Sequence, residues 1–131
     1  MGMAVPSYDM FLPLLGFDLG KRSAAVIKEH EFHVVEWQSE RLCFAITSPR
    51  EAFSSDNINR RKPGALHHLA FRASNRTEVD RLHRELIEIG ATIVSPPREY
   101  PEYVPLGYYA LFFKDLEGIK SKIVCQAHDA T

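Results

Sequence analysis

Cysteine is scarce in this chain, with 2 in 131 residues. Cys43 and Cys125 cannot build a disulfide framework, so a reducing, cytoplasmic setting is the default expectation. Both sit inside apolar strand-like runs without a local partner, and inert core thiols are expected rather than a nucleophile. An excess of charge of one sign is also lacking, because 16 Lys and Arg stand against 17 Asp and Glu, a formal net charge of -1. Phosphate-backbone binding leans on concentrated positive charge, which argues against nucleic acid as the main partner. No run approaches the roughly 18 apolar residues of a membrane span, so no membrane partner is expected. The best short stretch, Met10 to Phe17, is interrupted by Pro13 and has no basic segment before it, unlike a signal peptide. A glycine-rich phosphate loop and a G-x-S-x-G elbow are both missing.

What is present is enough for a core: 45% of the residues are hydrophobic and 25% charged, the balance of an ordinary globular domain. The clearest element is a helix over Arg76 to Ile89. Asn75 is its N-cap, Glu78 stands where a capping box wants a carboxylate, and Val79, Leu82, Leu86 and Ile89 recur at helical spacing before Gly90. Alternation predicts a strand over Ala65 to Ala73, and further strands over Thr92 to Ser95, Tyr108 to Lys114 and Ile119 to Gln126. Pro96 and Pro97 should close the second of these, and Glu117-Gly118 should turn between the last two. The second half is therefore βαβββ.

The first half is less regular. An untidy helix over Tyr8 to Leu15 carries Pro13 and follows Pro6; strands are expected over Ala24 to Ile27, Phe32 to Trp37 and Leu42 to Thr47. Phe53 to Gly64 is a linker whose basic triplet, Arg60-Arg61-Lys62, is expected to be a solvated loop. Matching Gly16 to Gly90 and Leu42-Cys43-Phe44 to Leu111-Phe112-Phe113 gives a repeat of about 70 residues. On that spacing the counterpart of the strand Ala65–Ala73 falls before residue 1. The first module is then αβββ, and Met1 to Val5 are too few for its opening strand. Truncation, a later start or a borrowed strand are the alternatives.

Several residues could carry chemistry. Strand alternation sets His68, Ala70 and Arg72 on one face and His67, Leu69 and Phe71 on the other. The second set should pack on the helix, leaving His68 toward a cup in the sheet. In the last strand Lys120, Lys122, Val124 and Gln126 share a face, so Lys122 looks into the same space as His68. A cation there disfavours a divalent metal and favours an anion. The aromatic cluster Tyr100, Tyr103, Tyr108, Tyr109, Phe112 and Phe113 should be mostly core, with a tyrosine such as Tyr109 lining a pocket. Glu36 beside Trp37 is an acidic candidate from the first half. His30-Glu31-Phe32-His33 is not a metal pair if it lies on a strand, where residues three apart face opposite ways. Asn75-Arg76-Thr77 is a formal sequon better explained by capping.

Pro63-Gly64-Ala65-Leu66-His67-His68-Leu69-Ala70-Phe71-Arg72, with Glu78-Val79-Asp80 and Gly90-Ala91-Thr92-Ile93, resembles the vicinal oxygen chelate superfamily. Gly107 to Phe113, Asp115 and Gly118-Ile119-Lys120 carry the same resemblance. That superfamily includes glyoxalase I, bleomycin and fosfomycin resistance proteins and extradiol dioxygenases. The likeness is specific over residues 63–126, while in the first half only Leu14-Leu15-Gly16-Phe17 looks like the family's helix end. It implies an α+β fold in which paired βαβββ modules form a cupped mixed sheet, often completed in a homodimer. The whole chain is then a single glyoxalase-like domain, with residues 1–52 the incomplete first module, 53–64 a linker and 65–131 the second module.

In the family's enzymes a divalent metal in the cup chelates vicinal oxygens of the substrate, held by residues of the first and last strands of each module. His68 matches one such ligand. The carboxylate of the last strand is replaced, because Gly118-Ile119-Lys120-Ser121-Lys122 has Lys122 where the family has Glu. Asp115-Leu116-Glu117-Gly118 likewise departs from the family's Asp-Pro-Asp-Gly turn, and Ile46-Thr47-Ser48 offers no carboxylate. Three readings follow. In the first, His68, Arg72, Lys122, Tyr109 and Glu36 receive a small polar or anionic molecule without the standard metal site. In the second, a lyase, isomerase or dioxygenase completes its metal with unexpected ligands such as Glu36. The third is a dimerisation module with a degenerate site.

Overall fold

Asn75 starts the best-defined element of the molecule. Its side-chain Oδ1 accepts a hydrogen bond from the Glu78 backbone N–H at 2.8 Å, supplying one of the partners that a helix start leaves unmet. The Glu78 carboxylate reaches back one residue further than in a standard capping box and accepts from the Ser74 N–H at 2.6 Å. The resulting helix, α2, spans Arg76–Glu88 and buries Val79, Leu82 and Leu86. Gly90, at φ +82°, lets the chain leave through a left-handed residue. Its N–H bonds the Ile87 carbonyl at 3.1 Å and the Ala91 N–H bonds Leu86 at 3.0 Å, the paired closure of a Schellman motif.

The computed structural model describes residues 4–102 and 107–126. The chain divides into two compact units, Met1–Asn57 and Ile58–Thr131. In the first, α1 (Ala4–Phe11) tightens into a 3₁₀ turn, Leu12–Leu15, before Gly16 at φ +89°. Pro13 explains the change, because it has no N–H to continue the α-helical ladder. Strands β1 (Asp18–Ile27), β2 (Phe32–Gln38) and β3 (Cys43–Thr47) follow as an antiparallel sheet in the order β1-β2-β3. Trp37 is fully buried; its indole N–H donates to Asp9 Oδ1 at 2.8 Å, and its ring centroid lies 5.9 Å from Tyr8 and 6.2 Å from Phe44. The unit is the expected αβββ. No strand precedes α1 among the described residues, and residues 1–3 lie outside them.

The second unit contains β4 (Leu69–Arg72), α2, β5 (Thr92–Glu99), β6 (Tyr109–Lys114) and β7 (Lys120–Cys125). Its mixed sheet runs β4-β7-β6-β5, with β4 parallel to β7 and the other pairs antiparallel. The hairpin between β6 and β7 is closed by Asp115, whose Oδ1 accepts from the N–H groups of Glu117 and Ile119, both at 2.9 Å. Gly118, at φ +88°, completes that turn. Alternate burial along β7 puts Ser121, Ile123 and Cys125 inside and leaves Lys120, Lys122 and Val124 half-buried. The α+β class and the βαβββ order of this unit agree with the sequence patterns.

Three details differ from the sequence expectations. The strand expected over Ala65–Ala73 is only Leu69–Arg72, so His67 and His68 stand on the segment leading into it. Pro96 and Pro97 do not end their strand: β5 is an edge strand, its register slips between Ser95 and Arg98, and the missing proline donors fall where an edge tolerates them. Counted from the helices, β2 corresponds to β6 and β3 to β7, so matching Leu42-Cys43-Phe44 with Leu111-Phe112-Phe113 pairs the wrong strands. The glycine match survives, since Gly16 and Gly90 share the left-handed conformation.

Replacing Asn75 with Ala should destabilise the protein by about 1 kcal/mol, measured by denaturant unfolding, and a change below about 0.3 kcal/mol would remove the cap from this account.

Candidate functional site

Parallel pairing of β4 with β7 builds the site. Leu69 stands opposite Ser121 and Ala70 opposite Lys122. The residues just before β4 therefore lie beside the start of β7, and His67 and His68 meet Lys120 and Lys122. A cavity of about 650 Å³ opens on this face, lined by His67, His68, Tyr100, Tyr108, Lys120 and Lys122 with others of the same unit. Its floor is a buried aromatic cluster of Tyr100, Tyr108 and Phe112 around Ala110. Tyr100 packs edge-on against Phe112 and Tyr108, with centroids 5.6 Å and 6.1 Å apart. The Tyr100 hydroxyl is hydrogen-bonded to Ser95 Oγ at 2.9 Å, which meets its polar need at the cavity edge.

Cations stand over this floor. Lys122 Nζ lies 5.2 Å from the Tyr108 ring centroid and 5.9 Å from that of Phe112. Lys120 Nζ lies 4.8 Å from the Phe112 centroid. All three distances suit attraction between an ammonium and an aromatic face. Arg98 lies over the Tyr100 ring at 3.7 Å and is paired loosely with Glu102 at 3.5 Å. The acid of this wall is thus already opposed by a base, while the two lysines point their charge at the cavity.

His67 and His68 form a pair of their own. Their Nδ1 atoms are 2.7 Å apart, and their rings meet edge to face at a centroid distance of 5.0 Å. One nitrogen donates and the other accepts, so two protonated rings cannot face each other this way. Burial pushes the His68 imidazole below its ordinary pKa, and Lys122, His67 and Lys120 push it the same way. Desolvation and then Arg61, Arg60 and Lys120 lower that of His67. The pair therefore favours the neutral state, in which it offers hydrogen bonds without repelling the lysines.

The sequence candidates divide on this geometry. His68 and Lys122 come together in one cavity, as their strand positions suggested. Tyr109 does not join them: it faces α2, where its hydroxyl donates to Asp80 Oδ1 at 2.6 Å and Arg76 lies over its ring at 4.9 Å. That bond to Asp80 raises the Tyr109 pKa to about 12. Its neighbour Tyr108 lines the cavity instead. Arg72 is exposed and is not among the lining residues. Glu36 lies in the first unit, half-buried on β2 opposite Ala45, on the side of that sheet away from Trp37. Tyr103 lies outside the described residues.

His67, Lys120 and Arg98 were missed as site residues. Alternation through an assumed strand turned His67 toward the helix, whereas the short β4 frees it. Lys120 was detectable, since it shares the i, i+2 face of Lys122. His30-Glu31-Phe32-His33 holds no metal geometry: Lys28–His30 form a 3₁₀ turn, Glu31 is left-handed at φ +56°, and β2 begins at Phe32. Among the described residues no group of three or more His, Cys, Asp or Glu converges on one point. Two imidazoles between two ammonium groups make a poor donor set for a divalent ion, which seeks at least three neutral or anionic ligands.

The fold is glyoxalase-like, as likeness to solved structures shows. A glyoxylase/bleomycin resistance protein/dioxygenase domain from Frankia sp. EAN1pec superposes with a TM-score of 0.72 at 19% identity, over 96% of this chain and 88% of that one. A glyoxalase/bleomycin resistance protein from Albidiferax ferrireducens T118 gives 0.63 at 20% identity, over 95% and 88%. A glyoxalase I mutant from Zea mays gives 0.63 at 11% identity, over 94% of this chain and 40% of that longer one. In sequence, the chain is 30% identical over 90 residues to the uncharacterized protein YqjT of Bacillus subtilis (strain 168), 69% of the length of each. The chain belongs to the family of YqjT. No family model matches it.

The imidazole shifts carry a pH dependence. Each folded pKa lies below the ordinary 6.5, so the unfolded chain binds more protons as acid is added. The stability due to the pair is complete above about pH 6.5 and declines as the pH falls toward the folded values. Histidine resonances followed by NMR should titrate below 6.5 for both residues. Lys122→Gln should raise the His68 midpoint yet leave it under 6.5, because burial, the larger cause, remains. A His68 midpoint at or above 6.5 in the unaltered protein would contradict this electrostatic picture.

Proposed function

We propose that this protein binds a small anionic molecule with a planar or apolar body in the second unit's cavity, without the superfamily's metal chelation. The observation that carries this reading is Lys122. It occupies the position that the sequence resemblance gives to an acidic ligand, and its ammonium stands over Tyr108 and Phe112 beside His68. An aromatic floor gains from covering apolar surface, and the lysines gain from an anion in a partly desolvated space. The neutral imidazole pair adds a donor that orients the anion. The reading is of binding or sequestration, and the altered ligand set weighs against a lyase, isomerase or dioxygenase that works through a bound metal.

A symmetric dimer belongs to the same reading. β1 is an edge strand whose Leu19 and Val26 are 46% and 56% exposed, and such an edge favours a second copy of the sheet. Light scattering should give the mass of a dimer; a monomer at all concentrations would remove this part.

Titration with 2-naphthoate, a planar carboxylate, tests the cavity. Binding should be one per chain with shifts in the Tyr108 and Phe112 resonances, and Lys122→Met should weaken it by about tenfold, the scale of one charge-assisted contact. Unchanged affinity in that variant would overturn the assignment of Lys122. Elemental analysis of the purified protein should find no stoichiometric divalent metal. One equivalent per chain that disappears in His68→Ala would overturn the metal-independent reading.

A further inference from the structure

A second cavity, of about 270 Å³, adjoins the first and shares His67 and Lys120 with it. Its remaining polar lining is Arg60, Arg61, Lys114 and Asn59, with Ile58, Leu66 and Ile119 supplying apolar wall. Four basic side chains and an imidazole thus line a space to which no carboxylate contributes. Among the described residues no ion pair engages Arg60, Arg61, Lys114 or Lys120. Asp115, the acid closest in sequence, has its Oδ1 committed to the N–H groups of Glu117 and Ile119 within the turn.

Two of these cations are half-buried on the sheet, and Arg60 and Arg61 approach them from an exposed turn. Lys114 and Lys120 are directly opposed across β6 and β7, both half-buried. Like charges opposed across neighbouring strands destabilise a sheet. Arg60 and Arg61 are brought to the same place by a compact turn: the Arg61 N–H donates to Asn59 Oδ1 at 3.0 Å, and the Lys62 N–H donates to the Asn59 carbonyl at 3.1 Å. The basic linker is the exposed loop its composition predicts, and two of its arginines also line this cavity. Repulsion of this kind, repeated by four groups around one space, is relieved by a multiply charged anion and poorly by a single carboxylate. Arginine forks in particular match the oxygens of a phosphate group.

We propose that this second cavity is a subsite for a phosphate group, and that the protein's ligand is a phosphate monoester whose planar body lies over the aromatic floor of the larger cavity. The proposal rests on the reading of the larger cavity as the ligand site. Arg60 and Arg61 receive the phosphate oxygens from the linker side, Lys114 and Lys120 from the sheet. His67, at the junction of the two spaces, lies beside the ester bridge. The low pKa of Lys120, caused by burial and then by Arg60, Lys114, Arg61 and Lys122, accords with an uncompensated cation cluster.

Calorimetric titration of the full chain at about pH 7.5, where a phosphate monoester carries close to two charges, tests this with three probes: inorganic phosphate, 2-naphthyl phosphate and 2-naphthoate. The expected result is that 2-naphthyl phosphate binds about tenfold or more tighter than either other probe, and weakens as salt is raised. Arg60→Gln with Arg61→Gln should reduce its affinity, and that of inorganic phosphate, by about tenfold or more while leaving 2-naphthoate unchanged. Lys62→Gln, which alters the same linker's charge outside the lining, should change none of them. Equal loss in Lys62→Gln, or full affinity for 2-naphthyl phosphate in the double variant, overturns the subsite. Should 2-naphthoate fail to bind while inorganic phosphate is lost in the double variant, the larger cavity's reading fails and the phosphate subsite stands.

Discussion

The parallel pairing of β4 with β7 is the constraint on which the site depends. It is a four-residue ladder, made possible because α2 carries the chain across the sheet and returns it to the far edge before β5, β6 and β7 are laid down. Parallel strands require such a crossover, and the burial of Val79, Leu82 and Leu86 anchors it. With that register set, the two histidines arriving at β4 stand beside the two lysines leaving the turn before β7. Neither pair is near the other in sequence. Their meeting fixes the sign of the cavity and adds to burial, the larger cause, in lowering the imidazole pKa values.

The charge at that meeting point also frames the relation between fold and chemistry. A superfamily fold provides a sheet face and strand positions; what the positions do depends on their side chains. Here the face carries two adjacent histidines, His67 and His68, and has ammonium groups on β7. Lysines seated over tyrosine and phenylalanine rings are partly offset by the ring faces, which lets two of them share a cavity. The same arrangement extends through Lys120 toward Lys114 and the linker arginines. These basic groups line two adjoining cavities beside an aromatic floor, which is the basis of the proposed elongated ligand with a charged end.

Much of this was legible in the residues. The helix could be placed from Asn75, Glu78 and Gly90 because caps are local chemistry, and the strand faces of β7 followed from alternation because that strand is regular. His68 and Lys122 line the same cavity, although His68 stands on the segment before β4 and not on a strand. Tyr109 was exchanged for Tyr108 because a tyrosine suits either side of a sheet and only the Asp80 carboxylate on α2 decided between them. His67 was misplaced because alternation was carried through residues that are not strand. Arg60 and Arg61 lie on the exposed loop expected of a basic linker, and its composition gave no sign that the loop would also line a cavity.

By itself, then, the sequence determined the α+β class and the βαβββ order of the second unit, because both depend on periodicity and capping within a short span. Only the tertiary structure decided that His67 and His68 touch, that Tyr108 and not Tyr109 lines the cavity, and that Lys114, Lys120, Arg60 and Arg61 surround a second one. Those facts depend on strand register and on where a loop comes to rest, which are set by contacts between residues far apart in the chain.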